Sequence, residues 1–123
     1  MARILICAGE ASSDVLGAEL VAAIRLVRPD IDFYGLVGET MLDRGVKQIA
    51  DTKAATVIGF TAVVVALPRL LLLSARLKRS LTTERPDLVV TINSPGLLLP
   101  IARRARQLGI PAVHWVSPQV WAW

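Results

Sequence analysis

One cysteine, Cys7, and one histidine, His114, are all that 123 residues offer of either type. A lone cysteine excludes an internal disulfide. Its place in the apolar run of residues 4–8 makes it a small buried thiol. With no Cys/His cluster, no metal centre is expected and no cofactor is implied. Aromatic residues are scarce too: three Trp, two Phe and one Tyr. No Arg/Lys run is interleaved with them, so a single-strand nucleic-acid platform is unsupported and no nucleic-acid partner is expected. The chain lacks a Gly-x-Gly-x-x-Gly loop and a Walker lysine. Met1-Ala2-Arg3 leads into an apolar run too short for a signal peptide, which points to a reducing cytoplasm. The longest apolar stretch, residues 57–73, is interrupted by Pro68 and Arg69 and falls short of the roughly 20 residues of a spanning helix. Internal repeats and low-complexity linkers are absent.

What is present is aliphatic and basic. Apolar residues make up 54% and charged residues 20%, with a net charge of +4. That is one domain with a single real core. The basic balance suits an anionic membrane face or a phosphorylated substrate.

Short apolar runs alternate with helical patterns. Residues 3–8 form a continuous apolar strand of the kind buried on both faces. Residues 9–14 are a small-residue loop in which Ser12, Ser13 and Asp14 can cap the next helix. Residues 15–27 come next, with Val15, Leu16, Leu20, Ile24 and Val27 as the apolar positions of a helix. Strands are expected at 31–37, 46–49, 88–92 and 112–116, with a short helix within 38–45. Pro68-Arg69 splits the 57–73 stretch, and a helix runs over 70–81. Residues 93–96 make a turn before a basic helix at 97–108. This alternation predicts an α/β fold: a Rossmann-like parallel sheet with helices on both faces.

In such sheets ligands bind beyond the carboxyl ends of the strands. Three loops qualify: residues 9–14, 93–96 and 117–121. Gly9 permits a tight exit from the first strand, and the N-terminus of the next helix favours an anion. Glu10 and Asp14 argue for sugar hydroxyls over a bare phosphate. Gly9, Ser12, Ser13, Asp14, His114, Ser117 and Trp121 are therefore the candidate substrate contacts. For His114 a packed strand histidine is the competing reading. For Trp121 and Trp123, packing against a further domain competes with stacking on a sugar. The terminal Trp-Ala-Trp leads us to expect completion by another segment. In the 57–73 stretch, Val63, Val64, Val65, Leu67, Leu70, Leu71, Leu72 and Leu73 leave almost no polar face. They are expected to meet a membrane or an acyl chain, with Arg69, Arg76, Lys78 and Arg79 at lipid phosphates, and a buried core helix is the competing reading.

Several motifs resemble lipid-A-disaccharide synthase. Ala-Gly-Glu-Ala-Ser-Ser-Asp at 8–14, with Gly17-Ala18 beyond it, is similar to the family's Ala-Gly-Glu-x-Ser-Gly-Asp-x-x-Gly-Ala. Thr-Val-Ile-Gly-Phe at 56–60, Leu-Pro-Arg-Leu at 67–70, Pro86-Asp87 and Gly-Ile-Pro at 109–111 fall at matching places. His-Trp-Val-Ser-Pro-Gln-Val-Trp-Ala-Trp at 114–123 resembles the family's His-Tyr-Val-Ser-Pro-Ser-Val-Trp-Ala-Trp. The resemblance implies the N-terminal half of a two-domain, GT-B type inverting glycosyltransferase. Residues 1–123 would be its acceptor-side domain, without the C-terminal donor-binding domain. The implied reaction transfers 2,3-diacylglucosamine from its UDP form to the 6-hydroxyl of 2,3-diacylglucosamine 1-phosphate. The implied partners are that acylated glucosamine phosphate lipid, a UDP-sugar held by the second domain, and the inner membrane surface, where the protein would sit peripherally on the cytoplasmic face. A non-catalytic lipid- or membrane-binding module, or half of a split protein, is the alternative.

The match departs where the chemistry is implied to lie. The family's Ile-Asp-Ala-Pro-Asp-Phe reads Ile-Asn-Ser-Pro-Gly-Leu at 92–97. Asn93 stands for the implied general base, and Gly96 for the second Asp. An amide orients a hydroxyl but does not deprotonate it, which leaves Glu10 as the first alternative base, with Asp14 and His114 behind it. Ser13 replaces a Gly, and Ala62 stands where Glu is common.

Overall fold

A computed structural model describes residues 2–55 and 60–116, with side chains of α3 described from Val65 onward. The order is β1 (Arg3–Ala8), α1 (Ala11–Val27), β2 (Asp32–Val37), α2 (Glu39–Leu42), β3 (Lys47–Asp51), α3 (Phe60–Thr83), β4 (Leu88–Ile92), α4 (Pro95–Gln107) and β5 (Ala112–Trp115). A 3-10 turn, Thr52–Ala54, comes directly after β3. All five strands are parallel in the order β3-β2-β1-β4-β5. This is the Rossmann-like sheet that the alternation predicted.

Two cores lie on the two faces of β1, because successive side chains of a strand point opposite ways. Leu5 and Cys7 face Leu73, Leu77 and Leu81 of α3 and Leu98, Ile101 and Ala105 of α4. Ile4, Ile6 and Ala8 face Ala18 and Val21 of α1 and Met41 of α2. Helices thus cover both sides of β1, which accounts for its unbroken run of apolar residues.

Three details differ from the sequence-based reading. First, α3 is one helix through Pro68. Proline removes one backbone hydrogen bond, and Pro68 lies exposed, where water serves the carbonyl it leaves. Second, α4 begins at Pro95, two residues before the expected start. Proline's fixed φ suits the first helical position, where its missing N–H costs nothing. Third, α1 begins at Ala11, four residues before the expected start and inside the expected loop, and it is turned relative to the expected apolar stripe. Its buried residues are Ser13, Asp14, Gly17, Ala18 and Val21, while Val15 is 46% and Val27 79% exposed. The small residues let α1 sit close to its neighbours: a Cβ on Gly17 would lie 2.6 Å from the Met41 sulfur. A pattern that scores only bulk apolar residues overlooks such a face.

α3 is longer than the sheet is deep. Its 24 residues span about 36 Å at about 1.5 Å each. The strands have 4–6 residues and reach at most about 20 Å. The C-terminal end of α3 is held at the N-terminal edge of the sheet, where Glu84 pairs with Arg3 at 2.8 Å. The helix therefore overhangs at its other end, beyond the carboxyl ends of the strands.

Candidate functional site

The strand order reverses between β1 and β4, which go on to β2 on one side and to β5 on the other. Such a switch point opens a crevice at the carboxyl ends, because the two connections leave in opposite directions. Two of the three expected loops meet there. The Asn93 amide nitrogen donates to the Ser13 hydroxyl at 3.1 Å, bridging 80 positions of sequence. Gly9 is buried against Ser94, and a Cβ there would lie 2.4 Å from the Ser94 hydroxyl oxygen. Only glycine permits that approach. The third loop, with Ser117 and Trp121, lies outside the described residues.

The backbone at this point is strained. Asn93 and Ser94 both have positive φ, 53° and 44°. Asn tolerates the left-handed region better than Ser does. Each such residue costs on the order of 1–3 kcal/mol and persists only where its surroundings hold it. Here the holding groups are the Ser13 contact, the close packing on Gly9, and a backbone bond from Asn93 to the Trp115 carbonyl at 2.9 Å.

The first loop divides by role. Glu10 and Ser12 are exposed, with the Ser12 hydroxyl 3.5 Å from a Glu10 carboxyl oxygen. Glu10 stands at the N-cap of α1, and its side chain makes no capping bond. Neither Ser12, Ser13 nor Asp14 caps α1, contrary to the sequence-based expectation. Asp14 turns away and caps α2 instead. Its two oxygens accept from the backbone N–H groups of Gly38 (2.9 Å), Thr40 (2.9 Å) and Met41 (3.2 Å). Gly38 leaves room for this: a Cβ there would lie 2.7 Å from an Asp14 oxygen. A buried carboxyl taken up by three donors holds the β2–α2 connection. It borders a cavity of about 210 Å³ with Val15, Thr40 and Lys53.

His114 sits on β5 in register with Thr91. Its Nδ1 is 2.7 Å from the Thr91 hydroxyl. Its Nε2 is buried and has no hydrogen-bond partner among the described residues. These contacts fit the packed-strand reading and do not join His114 to the Ser13–Asn93 pair.

The expected lipid-facing residues lie on α3, Leu67, Arg69, Leu70 and Leu71 toward its overhanging end and Leu72 and Arg76 beside β3. Leu67 is 50%, Leu71 63% and Leu72 73% exposed. Leu70 is half-buried, and Arg69 and Arg76 are exposed. The side chains of Val63 and Val64 lie outside the described ones. Val65 is 76% exposed, whereas Leu73, expected on the same face, is buried because it turns to the sheet with Leu77 and Leu81. A groove of about 330 Å³ runs between α3 and α4, lined by Leu67, Leu70, Leu71, Leu97 and Pro100, with Lys78 and Gly96. A second, of about 410 Å³, holds Arg69 and Arg76 beside Asp51, Leu72 and Leu73. The Arg76 guanidinium also donates to the Ile49 carbonyl at 3.2 Å.

Elsewhere, a cavity of about 320 Å³ lined by Arg3, Arg25, Tyr34 and Lys47 opens at the amino ends of the strands. It is remote from the crevice, at the edge parallel sheets do not use for ligands. Among the described residues no His, Cys, Asp or Glu cluster could hold a metal ion, and no helix is long and apolar enough to cross a membrane.

Comparison with known proteins identifies this frame. A family model described as lipid-A-disaccharide synthetase matches residues 4–123. The lipid-A-disaccharide synthase of Azotobacter vinelandii is 45% identical over 121 residues, covering 98% of this chain and 32% of its own. Those of Syntrophus aciditrophicus and Myxococcus xanthus are 45% and 39% identical, with 31% and 32% of their lengths covered. The chain thus spans about a third of these relatives. Among solved structures, Acinetobacter baumannii MurG superposes with a TM-score of 0.60 at 16% identity, over 94% of this chain and 34% of that one. The glycosyltransferase of kitacinnamycin does so with 0.60 at 14%, over 94% and 30%. Those two likenesses are of fold, the Rossmann-like half expected of a two-domain glycosyltransferase. The switch-point crevice, the ordered motifs and the matching family model together establish that this chain belongs to the lipid-A-disaccharide synthase family.

Proposed function

We propose that this chain is the acceptor-side unit of a lipid-A-disaccharide-synthase-like inverting glycosyltransferase. The acylated glucosamine phosphate lies in the crevice between β1 and β4, and a second domain supplies the UDP-sugar. The overhang of α3 rests on the inner, cytoplasmic membrane face. One observation carries this reading: the polar switch-point crevice and the exposed apolar turns of α3 share the same edge of the molecule. A lipid with a sugar head needs that pairing, hydroxyl-binding groups next to an apolar support. Asn93, held by the buried Ser13, supplies a neutral hydrogen-bonding group for the sugar. Arg69, Arg76 and Lys78 supply positive charge for phosphate. Glu10, an exposed carboxyl on the first loop, is the group left to take the proton of the attacking hydroxyl.

Asn93 favours a second reading, a lipid-binding module without catalysis, because an amide cannot serve as general base. Calorimetry separates the readings in part. The chain should take up acylated glucosamine 1-phosphate and show no heat with UDP-sugar up to about millimolar ligand; micromolar UDP-sugar affinity would overturn the acceptor-side assignment. In a protein extended by the donor domain, Asn93→Asp should raise turnover, since a placed base contributes about 10²–10⁴-fold. Zero turnover in every variant would leave the module. Changing Leu67, Leu71 and Leu72 together to Ser should weaken binding to anionic phospholipid vesicles by about 10²-fold or more while circular dichroism is unchanged. Unfolding without any vesicle binding by the unaltered chain would make the overhang part of a core.

A further inference from the structure

We propose that Ser13 is a positioning residue for Asn93, and that the two side chains act as one neutral polar unit at the crevice. This rests on the reading that the crevice receives a sugar hydroxyl. Four observations support it. Ser13 is fully buried in the first turn of α1, where serine ordinarily caps its own helix. Here the N-cap is Glu10, so the Ser13 hydroxyl is not used for that purpose. Instead it accepts from the Asn93 amide nitrogen at 3.1 Å. Asn93 itself is held in the left-handed region, with a second left-handed residue next to it, and that turn needs a tie to neighbouring structure. Finally, two of the positions at which these loops depart from the family's motif, Ser for Gly at 13 and Asn for Asp at 93, touch each other.

The consequence is geometric. An amide has a donor end and an acceptor end. Once its nitrogen is committed to Ser13, its carbonyl oxygen is fixed on the opposite side. Ser13, having accepted that bond, retains its own O–H to donate. The pair carries no charge, so it avoids the desolvation cost of a buried carboxylate at this point of the crevice. A Gly at 13 leaves the amide nitrogen without this acceptor, and an Asp at 93 forces the hydroxyl to turn and donate. The two positions are expected to work as a matched pair.

The test uses the whole chain, isotopically labelled, with the Asn93 side-chain amide protons identified by their loss in Asn93→Ala. Ser13→Ala should shift those resonances and speed their solvent exchange by about tenfold or more, and Ser13→Gly should do the same. Thr82→Ala, at an exposed position of α3, should leave them in place. With acylated glucosamine 1-phosphate in micelles, Ser13→Ala and Asn93→Ala should each weaken binding by about 3- to 10-fold, the worth of one neutral hydrogen bond. The double variant should bind no more weakly than the weaker single one. Asn93 resonances unmoved in both Ser13 variants, or losses of affinity that multiply, would overturn the pairing. If the unaltered chain takes up no acylated glucosamine phosphate, the acceptor reading falls, and the resonances alone decide whether Ser13 positions Asn93.

Discussion

Leu77 and Leu81, in the second half of α3, are fully buried, whereas Leu67 and Leu71, in its first half, are 50% and 63% exposed. Both halves are leucine-rich and belong to one unbroken helix. The difference lies in what stands opposite. The second half crosses the sheet and packs on Leu5, Leu36 and Val89. The first half runs past the sheet edge, so its leucines meet no strand. The lesson is that apolar side chains on one helix serve two purposes according to the length of the layer beneath them. Those over the sheet hold the fold together, and those beyond it are available to a partner.

The largest effect expected from this comparison is at Leu77. Leu77→Ala leaves a cavity in a closed cluster and should cost about 2–5 kcal/mol, measured by urea unfolding. Little or no loss would break the distinction between the halves. On the opposite face of the sheet, Asp14→Ala should cost about 2–3 kcal/mol, because it leaves the donors of the β2–α2 connection without a partner. A loss of ligand binding with no loss of stability would instead return Asp14 to the substrate contacts.

Cys7 sharpens the comparison by pH. It lies in the cluster that the second half of α3 covers. Burial pushes its thiol from the ordinary 9.0 up to about 12, with a backbone hydrogen bond to Leu36 acting weakly the other way. The native state therefore keeps a proton that the unfolded chain releases. Stability is at full value below about pH 9 and is lost as pH rises toward 12, by at most about 1.4 kcal/mol per pH unit. Burial raises the Tyr34 hydroxyl too, which adds to the loss at the alkaline end. Urea midpoints at pH 8, 9.5 and 10.5 should fall less steeply in Cys7→Ala than in the unaltered chain. Equal slopes would mean that the thiol does not report on this core. The smallest effect belongs to Leu71→Ala, where the exposed side chain should change stability by no more than about 0.5 kcal/mol. A loss approaching that of Leu77→Ala would mean that the overhang is covered after all.

Much of the fold was legible because strands and helices bury apolar groups with different periods. The run from Ile4 to Ala8 announces a strand covered on both faces, and Pro86-Asp87 announces the start of β4. Helical crossovers between such strands make the sheet parallel. The loops at Gly9 and Asn93 were legible as site candidates, because the carboxyl ends of parallel strands converge on one edge. The burial of α1 was not legible, since its inner face is made of Ser13, Asp14, Gly17 and Ala18, which carry little hydrophobic signal. Nor was the role of Asp14: its donors on Gly38, Thr40 and Met41 are backbone groups, and a backbone N–H has no letter in the sequence.

The sequence by itself determined the class of fold, the order of its elements and the family to which it belongs, because local periodicity and motif order survive without three-dimensional information. Tertiary structure alone decided which face of α1 is buried, which half of α3 is exposed, and that Ser13 meets Asn93. Each of these depends on distances between groups far apart in the chain, set by the packing of whole layers. A contact that spans 80 positions becomes definite only when β1 and β4 lie side by side.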